Sequence, residues 1–154
     1  KNMLEYHKMT EEEKYCIARW KYPGEYAIYN SLSYEEQKKR GFGFANPENH
    51  LYSFYDGKDL VGFINLNGED PEVFFGIGAN PDCCGKGYGQ QMTRTAWDIS
   101  QTLFPGKPMY LEVRTWNQRA IRCYEKAGFR IVGEPIQQTT SIGEGAFYHM
   151  VRRG

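Results

Sequence analysis

The sequence predicts one domain of mixed α/β class, with strands and helices interleaved along the chain. The length of 154 residues suits a single domain over residues 1–154, and an apolar content of 40% is enough for a packed core. Patterns of period two, typical of strands, alternate with patterns of period close to 3.6, typical of helices. A sheet flanked by helices is therefore expected.

The amino-terminal part of the chain is predicted to contain a short strand and two helices. Residues 4–9 form the strand. Thr10 and Glu13 have the spacing of a capping box, which predicts a helix that starts after Thr10 and runs to about residue 20. Residues 33–39 are expected to form a short polar helix.

A hairpin and an acidic turn follow. Residues 50–55 and 60–66 alternate as two strands, and the Asp56-Gly57 dipeptide between them is typical of hairpin turns. The acidic turn at residues 68–72 is either a solvated loop or a rim that attracts a cationic substrate.

The middle of the chain has the clearest periodicity. Residues 73–79 read as a strand, and residues 80–82 as a turn. Residues 88–103 carry one apolar stripe at helical spacing, which Pro105-Gly106 ends. The stripe consists of Tyr88, Met92, Ala96, Ile99 and Leu103.

A second strand and helix come next. Residues 109–114 alternate as a strand, Asn117 can cap a helix, and Gly128 can end that helix in the left-handed conformation. A flexible loop is predicted at residues 139–145, followed by a last strand at residues 146–151.

Three glycines alternate at the entry to the long helix, at Gly85, Gly87 and Gly89. Glycine lets the backbone approach a ligand closely, and the first N–H groups of a helix lie at the positive end of its dipole. This turn, with Lys86 in it, predicts a phosphate or pyrophosphate site, although a turn without any ligand is an equal alternative. The dinucleotide fingerprint does not fit, since Gln90 stands where its third glycine belongs. The nucleotide-triphosphate loop motif does not fit the spacing either.

Composition excludes several other classes. Lys+Arg and Asp+Glu each total 19, so we expect no nucleic-acid partner. No apolar run approaches the ~18 residues of a membrane helix, and the polar start has no signal-peptide pattern. The 4 cysteines and 3 histidines lack disulfide or metal spacing, which favours a reduced, cytoplasmic chain without a metal. Cys84 as a nucleophile is a weaker alternative, because no histidine lies near it in sequence to act as its base.

Two motifs together resemble the GNAT superfamily of acetyl-CoA-dependent N-acetyltransferases. The first is Asn80-Pro81 followed by Gly85-Lys86-Gly87-Tyr88-Gly89, and the second runs from Asn117 to Phe129 as Asn-Gln-Arg-Ala-Ile-Arg-Cys-Tyr-Glu-Lys-Ala-Gly-Phe. The second is most similar to the aminoglycoside 6'-N-acetyltransferases and the ribosomal-protein alanine acetyltransferases. The resemblance implies an α/β (α+β) fold with a mixed, mostly antiparallel central sheet of about six or seven strands flanked by helices.

The resemblance also implies acetyl-CoA as co-substrate. Backbone groups of the strand would hold the pantetheine arm, the glycine turn would bind the pyrophosphate, and Lys126 or Arg122 would reach the nucleotide phosphate. The family's Gln/Arg position is Cys84 here, so a side-chain contact at that point is lost. The expected cofactor-binding residues are Ile77, Ala79, Cys84, Gly85, Lys86, Gly87, Tyr88, Gly89, Gln90, Asn117 and Tyr124.

For the chemistry, the resemblance assigns a base and an acid. Glu112 would take the proton of the acceptor ammonium, and Tyr124 would donate to the departing thiolate. The alternative for Glu112 is a structural pair with Arg114 or Arg130, and Glu72 is a second candidate for the base, ranked lower because its turn is expected to be exposed.

In the resembled family, the segment before residue 40 covers the acceptor pocket. Its aromatic side chains either line that pocket or close the core over one end of the sheet. They are Trp20, Tyr22, Tyr26 and Tyr29.

The sequence therefore favours an N-acetyltransferase, acting as a monomer or homodimer on a small amine such as an aminoglycoside or on a protein N-terminus. An acyl-CoA-binding sensor without catalysis is the alternative, against which the presence of both Glu112 and Tyr124 argues. A protein that binds ATP or NAD at the glycine turn is disfavoured by the failed motif spacings.

Overall fold

The computed structural model describes residues 3–83, 85–140 and 142–154. Its strands are β1 (Glu5–Lys8), β2 (Asn49–Asp56), β3 (Asp59–Asn67), β4 (Val73–Ala79), β5 (Met109–Arg114), β6 (Arg130–Ile131), β7 (Ile136–Thr140) and β8 (Gly143–Arg152). Its helices are α1 (Glu11–Ala18), α2 (Tyr34–Arg40), α3 (Tyr88–Leu103) and α4 (Gln118–Lys126). Short 3-10 turns occupy Gly24–Tyr29, Gly43–Ala45 and Pro81–Cys83.

All eight strands belong to one sheet. Its order is β1-β2-β3-β4-β5-β8-β6, and β7 pairs with the first half of β8. β4 and β5 are parallel, whereas the other strand pairs in the described part of the chain are antiparallel. The predicted mixed, mostly antiparallel sheet is confirmed.

Helices cover both faces of the sheet. The apolar stripe of α3 packs with α4 on one face, where the main core includes Met92, Ala96, Phe75, Leu111 and Ile121. On the other face α1 and α2 lie over β2 and β3 and enclose a second apolar cluster. That cluster contains Met9, Ile17, Ala18, Tyr34 and Phe44.

Local signals predicted from the sequence recur in the fold. Thr10 and Glu13 form the capping box of α1, and Asn117 caps α4 by accepting from the Ala120 N–H at 3.3 Å. Gly128 follows α4 with φ of +97°, as a left-handed helix end requires. The Asp56-Gly57 hairpin is present, with Asp56 opposite Asp59.

The predicted loop at residues 139–145 is wrong. Ile136–Thr140 forms β7, which was not expected, and β8 begins at Gly143 rather than at residue 146. β7 is a largely exposed strand rich in Gln and Thr. Its backbone ladder with β8 holds it in place, so its side chains need no apolar alternation from which the strand could be recognised.

The aromatic residues near residue 20 divide between the two roles considered for them. Trp20 packs against the second apolar cluster, with its ring 6.4 Å from that of Phe63, and so closes the core. Tyr22, Tyr26 and Tyr29 lie outside it. In the described part of the chain, no helix has the length and apolarity needed to cross a membrane.

Candidate active site

The parallel strands β4 and β5 part from each other near their beginning. They pair at Val73–Met109 and Phe74–Tyr110, and no further pairing between them is found in the described residues. β4 stays paired with β3 through Ala79, while β5 stays paired with β8 through Arg114. The carboxyl halves of the two strands therefore border a cleft in the sheet.

Backbone groups of β4 face this cleft. The Val73 N–H donates to the Pro108 carbonyl on the β5 side, whereas the Asn80 N–H donates to Val61 on the β3 side. Because backbone groups alternate along a strand, Ile77 and Ala79 point in the same direction as Val73. Both predicted pantetheine-binding positions thus direct backbone groups towards the cleft, where the Ala79 carbonyl already accepts from the Tyr22 hydroxyl.

The glycine turn lies at the end of β4 and leads into α3. Gly85 and Gly87 have φ of +80° and +77°, a conformation that other residues rarely adopt. Gly87 is the N-cap of α3 and supplies no side-chain hydrogen bond, so the first N–H groups of the helix are not capped from there. The predicted Cys84 position lies outside the described residues.

Two contacts fix the start of α3. The Tyr88 hydroxyl donates to Asp56 Oδ2 at 2.6 Å, a bond that raises the pKa of Tyr88 to about 12. A Cβ added at Gly89 would lie 3.4 Å from Cys123 Sγ, so α3 and α4 approach closely here. Lys86 is exposed, Gln90 is partly buried, and the exposed Arg122 adjoins Cys123 on α4. Lys126 lies farther along α4.

Asn117 is buried at the start of α4, and its side chain already makes two hydrogen bonds. Its Oδ1 caps the helix, and its Nδ2 donates to the Tyr29 hydroxyl at 3.1 Å. In the structure Asn117 fixes the start of the helix and the aromatic segment. Its contact with the cofactor arm stays a prediction.

The aromatic segment spans the mouth of the cleft. On the β4 side, the Tyr22 hydroxyl donates to the Ala79 carbonyl at 2.9 Å. On the α4 side, Tyr26 contacts the Trp116 ring, with centroids 5.7 Å apart, and the Arg119 guanidinium lies over the Tyr26 ring. These tyrosines line the cleft, and the sequence had left that role open.

Tyr124 lies on the face of α4 that packs against the core. Burial, followed by the neighbouring Cys123 and Tyr29, raises the pKa of its hydroxyl well above the ordinary value. Within residues 3–83, 85–140 and 142–154, that hydroxyl has no hydrogen-bond partner. It is a neutral donor available to a ligand.

Glu112 projects from β5 with a side chain that is 33% exposed. Its Oε1 accepts a hydrogen bond from Gln138 Nε2 at 2.7 Å, and its Oε2 lies 3.8 Å from His149 Nδ1. The alternative pairs with arginine are not formed. Arg114 lies over the Phe147 ring, and Arg130 donates to the Glu125 and Phe129 carbonyls.

Glu72 is less accessible than the sequence suggested. Its side chain is 16% exposed and lies 3.0 Å from His149 Nε2 and 3.8 Å from Arg153 Nη2. Residues 68–71 of its turn are exposed, as expected, but contacts with His149 and Arg153 partly cover the Glu72 carboxylate. Glu69 of the same turn accepts from the Tyr110 hydroxyl at 2.7 Å.

His149 is the site residue that the sequence did not reveal. It lies opposite Glu112 in the β5–β8 register, contacts both candidate bases, and stacks on Tyr110 with ring centroids 5.0 Å apart. Alternation in β8 could have placed it on one face. Its neighbours follow from the strand register, which a sequence pattern does not specify.

One row of residues crosses the open part of the sheet. Asn65 lies opposite Gly76 in β3 and β4, and Glu112 lies opposite His149 in β5 and β8. The register of the parallel pair puts Gly76 level with Glu112. In the described structure, Asn65 Oδ1 is buried without a hydrogen-bond partner, so it is an acceptor that the described residues leave unused.

Comparison with known proteins identifies the family. Residues 11–129 match the family model described as the acetyltransferase (GNAT) family. The chain belongs to the GNAT family of acetyltransferases.

Relatives and solved structures agree with this membership. The N-alpha-acetyltransferase RimI of Mycobacterium tuberculosis is 34% identical over 94 residues, which span 58% of this GNAT chain and only 57% of RimI. Spermidine/spermine N-acetyltransferase SpeG from Vibrio cholerae matches with a TM-score of 0.75 at 20% identity, over 97% of this chain and 91% of that one. AAC(6')-Ib, solved with paromomycin and acetyl-CoA, matches with a TM-score of 0.74 at 18% identity, over 99% and 94% of the two chains. At these identities the solved structures establish the fold.

The GNAT site thus combines three elements around the gap between β4 and β5. The cleft offers backbone groups, the glycine turn offers a helix N-terminus suited to phosphate, and the side chains add the Glu112 carboxylate on β5 and the Tyr124 hydroxyl on α4. This arrangement can hold an extended phosphorylated thioester and accept a proton from an amine.

Proposed function

We propose that the chain is an acetyl-CoA-dependent N-acetyltransferase that moves the acetyl group directly to an amine. The observation that carries this proposal is the cleft between β4 and β5, whose edge offers the Ile77 and Ala79 backbone and ends in the glycine turn. Acetyl-CoA would lie with its pantetheine arm along β4 and its pyrophosphate at the start of α3.

In this mechanism the acceptor ammonium first loses a proton towards Glu112. The free amine then attacks the thioester carbonyl carbon, and the C–S bond breaks with its electron pair moving to sulfur. The second proton of the attacking nitrogen then neutralises the CoA thiolate. A tyrosine has a pKa of about 10 and a thiol of about 8.5, so full proton transfer from tyrosine is uphill by roughly 2 kcal/mol. Burial raises the pKa of Tyr124 further, so its role is a hydrogen bond to the developing thiolate.

We propose a polycationic amine as the acceptor. Glu69, Glu72 and Glu112 border the same part of the sheet around Tyr110 and His149. Several carboxylates attract an acceptor that carries more than one positive charge. SpeG was solved with CoA and spermine, and AAC(6')-Ib was solved with paromomycin. Spermine and paromomycin are both cationic amines.

A protein N-terminus is the second candidate acceptor, supported by the similarity to RimI. It carries a single amine, so it makes less use of three carboxylates than a polyamine or an aminoglycoside does. For location we propose the cytoplasm, which agrees with the free thiols of Cys16 and Cys123.

The direct test is thiol release from acetyl-CoA in the presence of polyamines, aminoglycosides, amino acids and peptides with free N-termini. We expect turnover with the polyamines or aminoglycosides. Glu112→Gln should lower kcat by about 10²-fold, as removal of a general base does. Glu125→Gln, an exposed change on α4, serves as the control and should leave kcat unchanged.

Each outcome of this test has a definite meaning. Turnover with peptides alone would transfer the proposal to protein N-termini. Tight acetyl-CoA binding with no turnover across the panel would favour a sensor that binds acyl-CoA without catalysis.

A further inference from the structure

Proton removal is the step that the carboxylates by themselves explain poorly. A glutamate in water has a pKa of about 4.3 and a primary amine one near 10, so direct transfer to a single carboxylate is inefficient. The site also has to pass this proton on to solvent before the next turnover. The group that contacts both candidate carboxylates is His149.

The neighbours of His149 indicate which ring nitrogen carries the hydrogen in the neutral form. Nε2 lies 3.0 Å from Glu72 Oε1, and an ionised carboxylate only accepts hydrogen bonds, which assigns the ring hydrogen of the neutral form to Nε2. Nδ1 then presents its lone pair towards Glu112 Oε2, at 3.8 Å. Contacts between catalytic groups are often long in the free enzyme and shorten once substrate binds.

The other groups that face His149 keep this arrangement in place. Tyr110 stacks on the ring and sends its hydroxyl to Glu69, so it does not compete for the imidazole nitrogens. Arg153 approaches Glu72 Oε2 at 3.8 Å, and Gln138 donates to the far oxygen of Glu112. Each carboxylate therefore keeps one oxygen directed at the histidine.

We propose that Glu112, His149 and Glu72 form a proton relay that carries the acceptor's proton from the active site to solvent. This inference rests on the proposed acetyl transfer. Glu112 takes the proton from the ammonium and passes it to His149 Nδ1. His149 releases its Nε2 proton to Glu72, which delivers it to water, so one proton leaves per acetyl group transferred. The ring then holds its hydrogen on Nδ1, and proton exchange with water returns it to the Nε2–H form before the next turnover.

The relay makes the two candidate bases members of one pathway rather than competitors. Glu112 lies on the part of β5 that no longer pairs with β4, whereas Glu72 lies on the other side of the histidine. His149 then acts through Glu112, as a positioning and relay residue that does not contact the substrate.

The test compares the original 154-residue chain with His149→Gln, using the best acceptor of the amine panel. Glutamine can still hydrogen-bond to Glu72 but cannot accept a proton and release another. We expect kcat to fall by about 10²-fold, with acetyl-CoA affinity and acceptor KM within about twofold of the original values. The dependence of kcat on pH should change as well, because His149 accepts and releases a proton in each turnover of the proposed relay.

His7→Gln is the matched control. His7 Nε2 lies 2.9 Å from Glu13 Oε2 and its ring stacks on Tyr55, so the same kind of pair occurs far from the cleft. We expect this variant to keep the original kcat and pH profile. A double variant of His149→Gln with Glu72→Gln should be little slower than either single variant, since both interrupt one path.

An original kcat and an unchanged pH profile in His149→Gln would overturn the relay. Additive losses in the double variant would overturn it as well. Failure of the original chain to turn over any amine would instead refute the proposed function, so the two failures are distinguishable.

Discussion

Tyr124 keeps a hydroxyl that the described residues of the chain do not engage. Burial holds this group neutral by raising its pKa, and the α4 backbone fixes it against the core. A neutral donor in a position shielded from water interacts strongly with negative charge that develops during a reaction. Such a group can donate a hydrogen bond to the CoA sulfur as the C–S bond breaks and negative charge develops on it.

We expect Tyr124→Phe to lower kcat by about 10²-fold, because the thiolate loses its donor. Acetyl-CoA binding should change by less than about twofold, and the melting temperature should stay the same, since no hydrogen bond of the free protein is lost. Steady-state kinetics, calorimetric binding and thermal unfolding check these three expectations. Tyr148→Phe, a second partly buried tyrosine packed on the same core, is the control. Unchanged kcat with normal binding would remove Tyr124 from the mechanism.

Two glycines with the same backbone conformation flank α3, one of them in the glycine turn. Gly85 and Gly106 both have φ of +80°, and a Cβ at either position would meet nothing within 4 Å. They lie before and after the same helix. Backbone strain from a side chain is therefore matched at the two positions, whereas the proposed phosphate site lies at only one of them.

We expect Gly85→Ala and Gly106→Ala to lower the free energy of unfolding by a similar amount, about 1–2 kcal/mol, because alanine is strained at positive φ. Gly85→Ala alone should weaken acetyl-CoA binding, since it alters the turn that presents the first N–H groups of α3. Chemical denaturation and calorimetric titration with acetyl-CoA measure the two effects. Equal acetyl-CoA affinity in both variants would place the pyrophosphate elsewhere.

Glu13 joins three parts of the molecule through one carboxylate. Burial acts to raise its pKa, but hydrogen bonds from Tyr55, the Thr10 backbone, Ser53 and His7 outweigh it and lower the pKa to about 2. The donors come from β1, β2 and the cap of α1, with Ser53 Oγ at 2.7 Å and Thr10 N at 2.9 Å. The carboxylate therefore holds α1 on the edge of the sheet.

The lowered pKa predicts sensitivity to acid. The folded state binds the Glu13 proton less readily than the unfolded state, so this stabilisation is complete above pH 4.5 and is lost as the pH falls towards 2. A shift of this size corresponds to at most about 3 kcal/mol in the free energy of unfolding.

We expect Glu13→Gln to be less stable than the original chain at pH 7 and nearly equal to it at pH 2. Urea denaturation across this range measures the difference. Glu12→Gln, the exposed neighbour on the same helix, is the control and should leave stability nearly unchanged at every pH. A Glu13→Gln deficit that stays constant with pH would show that ionisation of this carboxylate is not its source.

Most of the fold was accessible from the sequence because its signals are local. The apolar stripe of α3, the capping box at Thr10, the cap at Asn117 and the left-handed Gly128 each depend on residues within a few positions of one another. β7 was missed because it lacks such a local signal. Its ladder with β8 holds it in place, and its exposed side chains carry no apolar pattern.

Only part of the candidate site could be predicted from the sequence. The glycine turn, Glu112 and Tyr124 could be proposed from the sequence, because a helix entry, a strand face and a helix face are each set by short stretches of chain, and their roles stay predictions. The placement of His149 between Glu112 and Glu72 was decided by the register of β5 against β8 and by the path of the turn before β4. The use of Asn117 and Ala79 by Tyr29 and Tyr22 was decided by the course of a segment far away in sequence. Contacts of this kind depend on tertiary packing, which brings distant residues together without leaving a periodic trace in either of them.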